Sequence, residues 1–187
     1  MMKKIKKTRS SAGFTMIEII IVILAIAILG GLTAEIIGNA STIYSTTLSK
    51  HEFLKEARYA FFKITREATW QKNYTSFSGS NNKRIDIRSS DGKVIDFRIR
   101  NTNDIVHNNN QVAGTNNETI TNKISYNNSE IYYLDESGNV ANVSTNSQLV
   151  KSIKLDFQFT DSDNSMRLTG YSLPYNLRIG RGMSYHE

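Results

Sequence analysis

Residues 11–31 read SAGFTMIEIIIVILAIAILGG, and no other stretch limits the chain so strongly. Residues 19–32 carry no charged or strongly polar side chain. Counted from 14 to 34 the run is 21 residues long, or about 31 Å at the helical rise, enough to span a bilayer. One carboxylate, Glu18, stands near its start. A charge at membrane depth costs a few kcal/mol even on lenient insertion scales, so it requires a reason.

The formal net charge of +6 is concentrated just before this run. Lys3, Lys4, Lys6, Lys7 and Arg9 precede Gly13 with no acid among them; 23 Lys and Arg less these five leaves 18 against 17 Asp and Glu. The basicity is thus a cytoplasmic-side topology flag and not a nucleic-acid-binding surface. An ordinary secretory signal has a shorter apolar region and a small-x-small cleavage site. Here Leu32-Thr33-Ala34 places a bulky residue where a small one is preferred, and the small-x-small triplet at 25–27 lies inside the run. The chain has no cysteine, which excludes disulfides, thiolate metal sites and a cysteine nucleophile.

Gly13-Phe14-Thr15-Met16-Ile17-Glu18, behind a short Lys/Arg leader and ahead of an Ile/Leu/Val/Ala run, resembles the class III signal of type IV prepilins and type II secretion pseudopilins. The resemblance implies cleavage between Gly13 and Phe14 by a membrane-bound prepilin peptidase, N-methylation of Phe14, and Glu18 as the fifth mature residue. A carboxylate one turn along can then neutralise the new amine of its own chain or of a neighbouring subunit, which favours docking in one register. The alternative for Glu18 is solvation at the headgroup boundary. The presence of Glu18 departs from the tip pseudopilins, which typically lack that acid. Where many major pilins carry an early proline this chain has Glu35, and its only proline is Pro174.

Beyond Ala34 the apolar pattern becomes one-sided. Ile36, Ala40, Ile43, Thr47, Lys50 and then Leu54, Ala57, Phe61, Ile64 and Ala68 follow four-and-three spacing, which predicts a continuous helix over 14–70, roughly 85 Å long. The stripe at 54–68 reads as head core. Aromatic and basic residues there (Tyr59, Phe61, Phe62, Lys63, Arg66, Trp70) likewise read first as core, with stacking on single-stranded DNA as the rival.

From 71 onward the chain reads as a β-rich head. Residues 84–88 and 94–100 predict a hairpin around Asp91-Gly92, with Ile95, Phe97 and Ile99 inward and Asp96, Arg98 and Arg100 toward water. Residues 130–143 predict a second hairpin turning at 135–139. Residues 152–159 are a strand with Ile153, Leu155, Phe157 and Phe159 inward, and 175–180 close the sheet. Ten asparagines between 101 and 128 predict a surface loop. The fold class is therefore α+β and, by the resemblance, pilin-like: leader 1–13, transmembrane helix 14–34, amphipathic continuation 35–70, and head 71–187 as one antiparallel sheet on the helix.

The segments 51–70, 124–140 and 149–164 also resemble, at pattern level, J-type minor pseudopilins and W-type minor pilins. The resemblance implies a minor structural subunit of a type IV pilus or type II secretion-like filament. Its partners would be prepilin peptidase, other subunits, an inner-membrane assembly platform and lipid, in a single-pass inner-membrane protein with its head outside. It implies no catalysis and no cofactor. Two alternatives remain: a competence pseudopilin contacting DNA, or an unrelated membrane-anchored exported β domain. His51, His107 and His186 are not paired with any nucleophile in the sequence, and no phosphate loop or zinc spacing occurs. The acidic stretch 161–165 departs from a calcium loop at Met166 and Ser172 and reads as a β-turn.

Overall fold

The computed structural model describes residues 13–73, 77, 79–89, 94–109, 117–162, 164–174 and 177. The expectations for the basic leader, for the turn at 90–93, for most of 175–180 and for His186 fall outside them. The chain forms two compact units, Met1–Leu48 and Ser49–Glu187.

Helix α1 runs over Met16–Thr69. No proline interrupts it, and its first turn is closed by a reciprocal cap. Throughout the first unit the described helical residues are exposed. In the second unit α1 buries Phe53, Ala57, Ala60, Phe61, Ile64 and Ala68, the 3.6-residue stripe of one face. The expected stripe is corrected up to its middle and holds from Ala57 to Ala68. Ile36, Ile43 and Lys50 are exposed, and Phe53 takes the buried place while Leu54 is half-buried.

Among the described residues the head holds two antiparallel sheets, not one. The first contains β1 (Arg84–Arg88), β2 (Val94–Arg100), β3 (Asp104–Asn109) and β4 (Glu118–Thr121) in that spatial order. The second contains β5 (Glu130–Leu134), β6 (Ser152–Asp161) and β7 (Asn164–Ser172). The β1–β2 hairpin is present, with Ile85 opposite Phe97 and Ile87 opposite Ile95. The stretch expected to be an asparagine-rich loop instead supplies β3 and β4. Ile105, Val106 and Ile124 are buried, and Asn103 closes the β2–β3 turn at φ +62°, a left-handed conformation that asparagine tolerates. The strand expected after the 135–139 turn is corrected to a single bridge, Leu134 to Val140, followed by the short helix α2 (Val143–Asn146). The acidic stretch at 161–165 lies at the β6–β7 turn, where Ser162 adopts φ +41°.

One apolar core joins these elements. Phe157 meets Phe61 edge-on with ring centroids 5.9 Å apart, and the helix approaches β7 at Gly170. A Cβ there would lie 2.9 Å from Phe61 Cζ, so glycine is what permits the contact. After the helix, Gln71 substitutes for a strand beside β1. Its Oε1 accepts the Arg88 N–H at 2.7 Å, and the Lys72 N–H donates to the Arg88 carbonyl at 2.7 Å. Lys123 ties Glu56 of α1 (3.3 Å) to Asp161 of β6 (3.1 Å).

Asp96 corrects the expectation that it faces water. It alternates away from Ile95 and Phe97 as the pleat requires, yet it is 1% exposed because Arg84 and Arg98 fold over it. Across the ladder lies Asp86, whose carboxyl burial pushes above the usual carboxylate range.

Candidate functional site in the N-terminal helix

Residues 13–15 precede α1 without regular secondary structure, and all three are exposed, Phe14 by 81%. The Gly13-Phe14 bond therefore lies in accessible backbone just ahead of a helix. Among the described residues no side chain approaches within 4 Å of where a Gly13 Cβ would stand.

Glu18 lies in the first turn of α1. The Thr15 N–H and Oγ1–H both donate to Glu18 Oε2 at 2.8 Å, and the Glu18 N–H donates back to Thr15 Oγ1 at 3.4 Å. The Thr15 carbonyl accepts the Ile19 N–H at 3.3 Å. This is a capping box, which satisfies two backbone donors left orphaned at a helix start. Its sequence signature, Thr15-x-x-Glu18, was readable, but membrane depth alone does not point to it. The cap draws the carboxylate toward the Phe14 end and leaves Oε1 without a hydrogen bond among the described residues.

The surface following the cap is apolar and uncovered. Phe14, Met16, Ile17, Ile19 to Leu24, Ile26, Ile28, Leu29 and Leu32, alanine excepted, are all at least half exposed. The helix is long and apolar enough to cross a membrane. Four of its threonine hydroxyls are satisfied internally: Thr33, Thr42, Thr46 and Thr47 each donate to the carbonyl four residues earlier. A helix so arranged presents few unpaired polar groups to lipid or to another helix.

In the head, α1 turns a second surface outward. Tyr59, Phe62 and Trp70 are exposed, so only Phe61 of the aromatic–basic set is core, which corrects the expectation for the others. A groove of about 550 Å³ runs between Tyr59, Phe62, Lys63, Arg66 and Thr69. Lys63 Nζ lies 5.7 Å from the Tyr59 ring centroid, and Arg66 pairs with Glu67 at 2.9 Å.

The two described histidines, His51 and His107, are not brought together. His51 is exposed on α1, while His107 sits in β3, stacked 5.0 Å from Phe97 and 3.5 Å from Glu118. Among the described residues no group of three His, Asp or Glu could hold a metal ion. No family model, curated protein or solved structure matches the chain.

Proposed function

We propose that the protein is a minor pilin or pseudopilin, a filament subunit processed at Gly13-Phe14 and assembled through its N-terminal helix from the inner membrane. One observation carries this reading: an apolar helix whose described residues are exposed throughout the first unit begins just after an exposed Gly-Phe bond and holds a carboxylate in its first turn. Cleavage at that bond removes the cationic leader and creates an amine at Phe14, one helical turn from Glu18. In an apolar bundle an unpaired charge is penalised, so subunits dock in the register that pairs carboxylate with amine. The role is assembly, without turnover. Glu18→Ala is expected to lower recovery of the protein in sheared filaments at least tenfold; unchanged incorporation would refute the charge pairing.

A second reading, contact with single-stranded DNA, is favoured by the exposure of Tyr59, Phe62 and Trp70 beside Lys63 and Arg66. Exposed aromatics next to cations are what base stacking requires. Salt-dependent retention of the protein on DNA would support it, and no retention at low salt would discard it.

A further inference from the structure

The outward face of the second sheet carries chemistry that neither the core nor the helix uses. Register places Tyr132, Lys154 and Tyr171 abreast across β5, β6 and β7. The next row on that face is Glu130, Asp156 and Thr169, and beyond it Gln158 stands beside Arg167. Along these rows opens a cleft of about 490 Å³, walled by Asn127 and Asn128 from the turn before β5. Small-molecule sites typically occupy about 300–1,000 Å³.

Every side chain lining this cleft ends in a planar polar group: carboxamide, carboxylate, phenol or guanidinium. No aliphatic side chain lines it, so an acyl chain or apolar peptide gains little by leaving water there. A polyanion meets Glu130 and Asp156, and the Arg167 guanidinium beside them is engaged by Asp156 through two bonds of 2.7 and 2.8 Å. A polycation meets Arg167 and Lys154. An uncharged ligand whose groups both donate and accept encounters none of these penalties.

The lining is also fixed in advance. Asp156, 8% exposed, is held by Arg167 and by the Thr169 hydroxyl at 3.0 Å, which leaves Arg167 Nη1 as an outward donor. Glu130 Oε2 accepts the Tyr132 hydroxyl at 2.6 Å, leaving Oε1 as an acceptor. Asn128 Nδ2 donates to Ser125 Oγ at 3.2 Å, leaving Oδ1. Gln158 Nε2 donates to Ser165 Oγ and likewise leaves Oε1. Side chains already ordered cost little further entropy on binding. Tyr171, 59% exposed, offers a ring face at the end of the row, where the C–H face of a pyranose can stack.

We propose that this cleft is a carbohydrate site, taking a neutral oligosaccharide through its hydroxyl and acetamido groups. The inference does not rest on the filament reading, and either can fail alone. The test is retardation of the detergent-solubilised full chain on three columns bearing maltotetraose, chitotetraose and mannotetraose, with a heparin column beside them. The expected result is retention on at least one neutral column, reversed by the free tetraose. Asn128→Ala and Gln158→Ala should each weaken it at least tenfold, while Arg88→Ala, on the other sheet, should not. Thermal unfolding of each variant identifies any that is misfolded; Asn128 and Gln158 lie on different elements, so one folded variant suffices to decide. Passage through all three neutral columns, retention on heparin alone, or retention that a folded Asn128 or Gln158 variant leaves unchanged would overturn the site.

Discussion

At Glu18 two interactions compete for one carboxylate: the local cap with Thr15 and the proposed pairing with a Phe14 amine. They are separable by substitution. Thr15→Ala removes the hydroxyl and weakens the helix start by about 1 kcal/mol. It should nonetheless leave filament incorporation near the parent level. Glu18→Gln keeps an oxygen for the cap but no charge, and should fall to the level of Glu18→Ala. Immunoblots of sheared filaments distinguish the two; equal losses in Thr15→Ala and Glu18→Gln would make the cap the whole role of Glu18. A second residue-scale test concerns Gly170, where an added methyl would press on Phe61. Gly170→Ala should destabilise the head by roughly 1–3 kcal/mol, the usual cost of overpacking, read as a lower denaturant midpoint. Shortening the opposing ring in Gly170→Ala/Phe61→Leu should recover part of that loss beyond additivity. An unchanged midpoint for Gly170→Ala would mean that helix and strand are not in contact there.

Among the elements, the two sheets carry carboxylates with opposite pH signs. Arg167 holds Asp156 below the usual carboxylate range, so its contribution is present above the unfolded value of about 3.9 and is lost as pH falls through the folded one. Burial raises Asp86, whose contribution is present below about pH 3.9 and is lost as pH rises through its elevated value. Asp156→Asn should therefore lower the head's unfolding midpoint near pH 7 and flatten its decline below about pH 4. Thermal melts across that range check it; a parallel decline in both proteins would show that β6 and β7 are not linked through this charge. These pairings also show what was legible. The helical stripe Ala57, Phe61, Ile64 and Ala68 was readable because period alone sets it. The strands β3 and β4 were not, because Ile105, Val106 and Ile120 are scattered among Asn and Thr and depend on the neighbouring β2 for their ladder. Strand β7 was hidden at Gly170, where an inward side chain would have completed the alternation of Met166 and Leu168. Alternation also sent Asp96 to water, since it cannot foresee two arginines closing over it.

For the whole molecule, the division of labour follows from where apolar surface goes. The head buries its own, with Phe77, Phe97, Phe157 and Phe159 inside, and Phe157→Ala should cost about 3–5 kcal/mol in a denaturant titration. Loss of less than about 1 kcal/mol would place that ring outside the core. The first unit leaves its apolar surface exposed, and its helix is long and apolar enough to cross a bilayer. Both halves of this contrast were readable from the change in pattern after Ala34, and the capping box from Thr15-x-x-Glu18; the polar cleft came from geometry. The proposed filament role depends on processing at Gly13-Phe14, and the mature N-terminus tests it most directly. Mass spectrometry of the protein recovered from membranes of cells containing a prepilin peptidase should find a chain beginning with N-methylated Phe14. A chain starting intact at Met1, or at Glu35, would contradict it.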